Sequence, residues 1–208
     1  MNYNFIAPYY HFLSILFFMN RQHLAHFTIL DFIKENDRIL WVGGGAGKFI
    51  PEIDNLNINI IIDYIDFSPK MIELAKKQSC SNLKINYIVA DILDYPLVEK
   101  YDVIMTTFLF DHFSQNIAEN LFYKINNSLK NNGIWFYVDF IQNQSKWQKN
   151  ITRLMILFFK LIIGLDISNL PKMNSIFNKN CEIKTRKLFF RKYIESVVYR
   201  KKTKLFFK

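Results

Sequence analysis

The stretch "ILWVGGGAGKFI", residues 39–50, constrains the fold of this chain more than any other, because an apolar run leads directly into four glycines within five residues. Glycine loses more backbone freedom on folding than any other residue, so this cluster indicates positive φ angles or a close approach that a Cβ would block. The pattern predicts a strand, then a tight turn, then a short helix near residues 47–55.

Strands and helices alternate along the rest of the chain. We expect a helical stretch at 9–34, strands at 38–42, 57–65, 84–90, 101–110 and 133–140, and helices at 68–78 and 114–130. Ser68 as N-cap and Pro69 at the first helical position mark one of these helix starts. The alternation predicts a doubly wound α/β fold, in which 181–190 and 194–202 add an antiparallel finish to a mostly parallel, seven-stranded sheet.

Length and composition favour one folded domain, since the chain has 208 residues, of which 50% are hydrophobic and 17% aromatic. Cys80 and Cys181 lie far apart and lack the spacing of a metal site, so we expect no metal and a reducing, cytoplasmic environment. The apolar segment 154–165 contains Lys160 and is too short to span a bilayer. It predicts a buried helix, with a peripheral membrane contact or a pocket cover as alternatives.

The net charge of +9 is concentrated in the C-terminal region, where residues 146–208 contain 16 Lys and Arg against Asp166, Glu182 and Glu195. One interpretation is attraction to an anionic membrane, substrate or nucleic acid. The other, which we favour, is a solvated face that keeps an aromatic-rich protein soluble.

The glycine turn lies between a strand and a helix, where doubly wound sheets bind their ligands. It does not match a phosphate-binding P-loop, because the glycine spacing is one residue short and Phe49 replaces the Ser or Thr that would hold magnesium. Asp66 ends the second strand about 20 residues after the turn, at the position of a ribose-binding acid. The sequence therefore predicts a nucleoside ligand.

Several motifs in order resemble those of class I S-adenosylmethionine-dependent methyltransferases. They are the glycine turn, "YIDFSPKMIELAKK", "VADILDYP", "YDVIMTTFLFDHF" and "SLKNNGIWFYVDF". The N-terminal "IAPYYHFLS" further resembles the opening of the quinone-biosynthesis (UbiE-like) small-molecule methyltransferases. The resemblance implies a Rossmann-like fold with S-adenosyl-L-methionine as cofactor. We expect a single methyltransferase domain over 1–208, with an N-terminal helical lid (1–35), a cofactor-binding core (36–145), a helical insert (146–180) and C-terminal strands (181–208).

The resemblance also implies roles for individual residues. Asp66 would bind the ribose hydroxyls, and Asp91 would accept a hydrogen bond from the adenine amino group. Met71 and Ile92 would pack near the adenine ring. The whole predicted cofactor site comprises Gly43, Gly44, Gly45, Gly47, Asp66, Phe67, Met71, Asp91, Ile92 and Thr107.

One departure from the family pattern concerns Trp41, which stands two residues before the first glycine. The family usually has an acid there that helps to hold the cofactor's ammonium group. Either another acid serves or the methionine end is held more weakly. Asp111 could substitute if the fourth strand delivers it beside the glycines.

Candidate catalytic residues lie at the rim of this site. Methyl transfer requires an acceptor held close and in line, and it needs a base only if the nucleophile must lose a proton. Asp111 and His112 follow the fourth strand, and His112 is either a general base or a solvated or capping residue. Tyr9, with Tyr10 and His11, either forms a lid over the acceptor or packs as part of a first helix.

We therefore expect O- or C-methylation of a small aromatic or lipid-like acceptor, with Phe108, Phe110, Phe113 and the 154–165 segment as an apolar lining. The alternatives are an RNA methyltransferase that uses the basic C-terminal region and a non-catalytic cofactor-binding protein. DNA is not an expected partner, since the "NPPY" tetrapeptide of amide-methylating enzymes is missing from the sequence.

Overall fold

The structure is a computed structural model that describes residues 25–141, 145–163 and 167–203. The strands are β1 (Arg38–Val42), β2 (Ile61–Asp66), β3 (Lys84–Val89), β4 (Tyr101–Thr107), β5 (Leu129–Phe140), β6 (Cys181–Phe189) and β7 (Ile194–Lys201). The α-helices that lie wholly in these ranges are α1 (Ile50–Asp54), α2 (Pro69–Ala75), α3 (Gln115–Ser128), α4 (Lys146–Ile163) and α5 (Asn174–Asn180). Two 3₁₀ helices cover Phe27–Phe32 and Phe110–His112.

The seven strands form one sheet in the order β3-β2-β1-β4-β5-β7-β6. The five strands from β3 to β5 pair in parallel, whereas β7 runs antiparallel to both β5 and β6. The predicted seven strands and antiparallel finish are confirmed, and the sheet is accordingly a mixed one. The strand order reverses between β1 and β4, which is the position where sheets of this kind bind ligands beyond the carboxyl ends of the strands.

Helices cover both faces of the sheet, as a doubly wound fold requires. Alternate residues of β1 point to opposite faces, so Ile39 and Trp41 pack with α1, α2 and Met155 of α4, while Leu40 and Val42 pack with α3 and α5. Among the described residues, no helix combines the length and apolarity needed to cross a bilayer.

The helix that begins after β2 confirms a local prediction. Ser68 has an extended backbone and its hydroxyl accepts a hydrogen bond from the N–H of Met71 at 3.3 Å, while Pro69 occupies the first helical position. This cap fixes where the chain leaves the sheet after Asp66, and it thereby positions that acid at the sheet edge.

Several element boundaries differ from the predictions, among them the start of β2, which is Ile61 rather than residue 57. β4 ends at Thr107 rather than at residue 110, because Phe108 adopts a φ of +52° that turns the chain out of the sheet. β5 begins at Leu129, which pairs with Tyr101 across a register shift. Residues 27–32 form a 3₁₀ helix within the predicted helical stretch 9–34. The rest of the predicted lid up to residue 24, including Tyr9, lies outside the described residues.

Candidate active site

The glycine turn at the carboxyl end of β1 adopts a conformation that glycine tolerates best. The φ angles of Gly43, Gly45 and Gly47 are +70°, +61° and +68°. A Cβ on Gly44 would lie 2.3 Å from the ring of Tyr64, and one on Gly47 would lie 2.6 Å from a side chain of α1. A Cβ on Gly45 would meet no atom of the described residues within 4 Å. The turn is therefore packed against the protein at two glycines and open to a ligand at Gly45.

Two side chains of β2 hold this turn in place. The Tyr64 hydroxyl donates a hydrogen bond to the carbonyl oxygen of Gly45 at 3.0 Å. Asp66 accepts from the N–H of Gly45 through Oδ2 and from the N–H of Ser68 through Oδ1, both at 2.9 Å. Burial raises the pKa of Asp66, whereas the two N–H donors and the nearby His112 act in the opposite direction. Asp66 thus joins the glycine turn to the end of β2.

Asp91 lies beside Asp66 at the sheet edge. The N–H of Ala90 donates to the carbonyl oxygen of Asp66 at 3.1 Å, which places the residue after it at the end of the neighbouring strand. Asp91 is partly exposed, and its Oδ1 accepts from the N–H of Leu93 at 2.9 Å. The two predicted acids therefore share one edge of the sheet, as the sequence interpretation requires.

The segment after β4 brings an acid and an imidazole to the same edge. Leu109 lies next to the turn, since a Cβ on Gly43 would be 3.3 Å from its Cδ1. Nδ1 of His112 lies 3.0 Å from Oδ1 of Asp111, which is buried. Burial lowers the pKa of His112, but Asp111, through its charge and this hydrogen bond, together with the charge of Asp66, raises that pKa above its ordinary value. The imidazolium form is thereby favoured.

Asp139, at the end of β5, accepts hydrogen bonds that hold the segment after β4 in place. Its Oδ2 accepts from the N–H of Phe110 at 3.1 Å, and its Oδ1 accepts from the N–H of Phe140 at 2.8 Å. Burial raises the pKa of Asp139 well above its ordinary value, and Asp111 and Glu195 act in the same direction. Glu195 is the residue opposite Asp139 on the antiparallel strand β7. Asp139 therefore anchors the 3₁₀ helix to the end of β5.

Comparisons with known proteins agree with this geometry. A family model for a methyltransferase domain matches residues 39–133, from β1 to the start of β5. The chain is similar to the carboxy-S-adenosyl-L-methionine synthase of Nautilia profundicola, with 28% identity over 134 residues, or 64% of this chain and 57% of that protein. It is also similar to malonyl-[acyl-carrier protein] O-methyltransferase 2 of Ilyobacter polytropus, with 34% identity over 112 residues, or 52% of this chain and 42% of that protein.

Residues 39–133 therefore form a methyltransferase domain of the class I S-adenosylmethionine-dependent type. In fold, the chain resembles the N-methyltransferase NodS of Bradyrhizobium japonicum WM9 in complex with S-adenosyl-L-homocysteine, with a TM-score of 0.65 and 14% identity over 89% of this chain and 87% of that chain. The matches span about half the length of the two curated relatives.

The side chains predicted to pack against the cofactor differ in exposure. Phe67, directly after Asp66, leaves 45% of its surface exposed at the sheet edge. Met71, Ile92 and Thr107 are buried, with 8% or less of their surface exposed. Phe67 can therefore contact a ring directly, whereas the other three expose little of their surface.

The apolar lining predicted from the sequence needs one correction. Phe110 is fully buried and packs against Trp135, Tyr137 and Phe177 on the α3 side of the sheet, so it belongs to the core and does not face an acceptor. The reason is the 3₁₀ turn, which points the side chain inward.

Helix α4 lies next to His112, one of the predicted catalytic residues. The ring centroids of Phe159 and His112 are 5.8 Å apart. Farther along the helix, the Thr152 hydroxyl is 2.7 Å from that of Tyr193, and Met155 packs into the core. One face of the predicted helical insert thus reaches the site.

Two residues of the site escaped the sequence interpretation. Tyr64 was part of the second motif but had no role, because nothing in the sequence shows that its ring lies under Gly44. The position of Asp139 could have been predicted from the sequence, because an acid at the carboxyl end of a buried strand in a doubly wound sheet lies at the ligand-binding edge.

Proposed function

We propose that the protein binds S-adenosyl-L-methionine at this sheet edge and transfers its methyl group to oxygen or carbon of a small aromatic or lipid-like acceptor. The observation that carries the proposal is the space at Gly45 that none of the described residues fills, bordered by the Asp66 carboxylate that holds the same residue's N–H at 2.9 Å. A backbone free of side chains beside an acid fits a nucleoside that must approach closely. When bound, the cofactor would supply an electrophilic methyl group.

The residues at the sheet edge would each bind a different part of the cofactor. Asp66 would accept from the ribose hydroxyls and Asp91 from the adenine amino group, while Phe67 would cover the ring. Asp66 already points one oxygen at the glycine turn and the other at the N-terminus of α2, so its orientation is fixed before a ligand arrives. Such preorganisation reduces the cost of ordering the site on binding.

His112 is suited to remove a proton from a hydroxyl or an activated carbon. Asp111 lies within hydrogen-bond distance of Nδ1 and so fixes the orientation of the imidazole ring. Because Asp111 raises the pKa of His112, the imidazole would act as a stronger base once it is neutral. The similarity to an O-methyltransferase of malonyl-[acyl-carrier protein] supports oxygen as the methylated atom.

The basic C-terminal region gives less support to an RNA methyltransferase. The Lys201 ammonium donates to the carbonyl oxygens of Asn126 and Leu129, both at 2.6 Å, at the end of α3. Lys202 donates to the carbonyl oxygen of Asn178 at 2.7 Å in α5. Cations at helix C-termini stabilise the helix, so these two lysines have a structural role.

Salt dependence distinguishes this alternative. If the protein bound RNA tightly, with an affinity that fell steeply as salt rose and was lost when Lys201, Lys202 and Lys204 were made neutral, the acceptor would be RNA.

Calorimetry with S-adenosylhomocysteine tests the cofactor site. Asp66→Ala should weaken binding at least about tenfold, because each unpaired polar partner costs about 1 to 3 kcal/mol. Asp54→Ala is the matched control, since Asp54 also accepts from two backbone N–H groups, those of Ser81 and Asn82, but at a distant turn. Equal affinities of wild type and Asp66→Ala would refute the site.

Mass spectrometry of S-adenosylhomocysteine formation tests the acceptor. The protein would be incubated with the cofactor and with phenolic, quinone or lipid extracts. We expect turnover with one of these classes and its loss in His112→Ala. Turnover with RNA alone would contradict the proposed acceptor.

A further inference from the structure

Helix α4 has a second apolar face, which points away from the protein. Leu154, Leu157 and Leu161 leave 52%, 53% and 77% of their surfaces exposed. At about 100° per residue the three side chains fall within an arc of about 60°. The opposite face contains Met155 and Phe159, which pack on the core. Helix α4 therefore has one apolar face that packs on the core and a second apolar face that is exposed.

The charges of α4 all have one sign. The helix contains Lys146, Lys149, Arg153 and Lys160, all exposed, and no acidic residue. These four fall within an arc of about 60° that borders the leucine stripe. A helix with an exposed apolar stripe flanked by cations has the composition of helices that lie in the plane of an anionic bilayer surface.

We propose that α4 docks the protein on an anionic lipid bilayer, with Leu154, Leu157 and Leu161 inserted among the lipids and the four cations at the headgroups. Charge complementarity selects this occupant. A second copy of the chain, packed stripe to stripe, would bring two cationic arcs together. Residues 1–24 contain Arg21 and no Asp or Glu, so they offer nothing to balance the cations.

The docked helix would connect the bilayer to the catalytic residues. Phe159 lies on the inner face of α4, and its ring centroid is 5.8 Å from that of His112. A lipid-like acceptor leaving the bilayer along this helix would meet His112. This use of the surface rests on the proposed function, whereas the docking itself does not.

Flotation of the full chain with vesicles tests the docking without cofactor or acceptor. We expect the protein to float with vesicles of phosphatidylglycerol and phosphatidylcholine, but not with phosphatidylcholine alone. The double variant Leu157→Glu, Leu161→Glu should reduce the bound fraction at least tenfold. Val98→Glu is the matched control, since Val98 is 80% exposed outside α4, and it should float like the wild type.

Several results would overturn the proposal. The proposal is wrong if the wild-type protein does not float with anionic vesicles, if it binds equally to vesicles of both compositions, or if the leucine variants float like the wild type. Leucine variants that change only the oligomeric state in size-exclusion chromatography would assign the stripe to a second copy, and variants that lose stability in a thermal melt would assign it to a segment of this chain. Calorimetry with S-adenosylhomocysteine reports separately on the proposed function, so failure of one leaves the other measurable.

Discussion

Substituting Gly45 by alanine separates the ligand-binding role of the glycine turn from its folding role. The new methyl group would project into a space with no atom of the described residues within 4 Å, so it clashes with none of them. The φ of +61° must still be kept, and a left-handed conformation costs a residue with a Cβ about 1 to 2 kcal/mol. For a chain of this size that corresponds to a melting temperature lower by roughly 2 to 8 °C.

The effect on binding should be larger than this loss of stability. If the nucleoside approaches the backbone at Gly45, the methyl group occupies its space, and we expect affinity for S-adenosylhomocysteine to fall at least about tenfold, or about 1.4 kcal/mol. Calorimetry measures the affinity and a thermal melt measures the stability.

Two other variants make this experiment decisive. Asn36→Ala also places alanine at a positive φ, +65°, but in the turn before β1, so it should lower stability without changing affinity. Gly44→Ala would push a methyl group to 2.3 Å from the buried Tyr64 ring, and it should destabilise the fold by about 1 to 3 kcal/mol beyond any effect on ligand. Unchanged affinity in Gly45→Ala, or an equal loss in Asn36→Ala, would refute the assignment of this space to the cofactor.

Three further measurements test other parts of the structure. Lys201→Ala should lower the free energy of unfolding by about 1 to 3 kcal/mol in urea melts, because two helix-end carbonyls lose a charged donor, while the exposed Lys187→Ala should change it by less than about 0.5 kcal/mol. The pKa of His112 is raised in the folded protein, so the stability that its protonation contributes should be fully present below a pH of about 6.5. That contribution should be lost as the pH rises through the pKa of His112 in the folded state. The free energies of unfolding of wild type and His112→Gln, measured in urea melts, should therefore converge at high pH. Asp111→Asn should weaken binding of S-adenosylhomocysteine but not of methylthioadenosine, which lacks the amino acid; equal losses would contradict an ammonium-binding role.

The sequence predicted the features that depend on local or periodic patterns. The Ser68 cap involves only residues 68–71, and the alternation of apolar strands and helices requires no knowledge of distant contacts. Asp66 and Asp91 could be placed together because the carboxyl ends of parallel strands share an edge. These inferences needed the order of elements alone.

The features that escaped prediction depend on register and on backbone rotation. Asp139 and Glu195 face each other only because β7 runs antiparallel to β5 in one particular register, and the sequence separates them widely. Phe110 continued an apolar pattern that is typical of a strand, yet the positive φ of Phe108 rotates it into the core. A Phe with a positive φ is uncommon, so no sequence rule would have placed the turn there.

Trp41 shows how a departure from the family pattern fits the packing. It lies on the face of β1 where Tyr64 and Phe49 pack, with ring centroids at 5.0 and 6.5 Å, and only 1% of its surface is exposed. Its Nε1 has no hydrogen-bond partner among the described residues. A carboxylate in this aromatic cluster would raise the free energy of the folded state, because its charge would lose contact with water. Leu109, two residues before Asp111 in the segment after β4, lies next to Gly43, so Asp111 stays the predicted substitute acid, and it lies outside the aromatic cluster of Trp41.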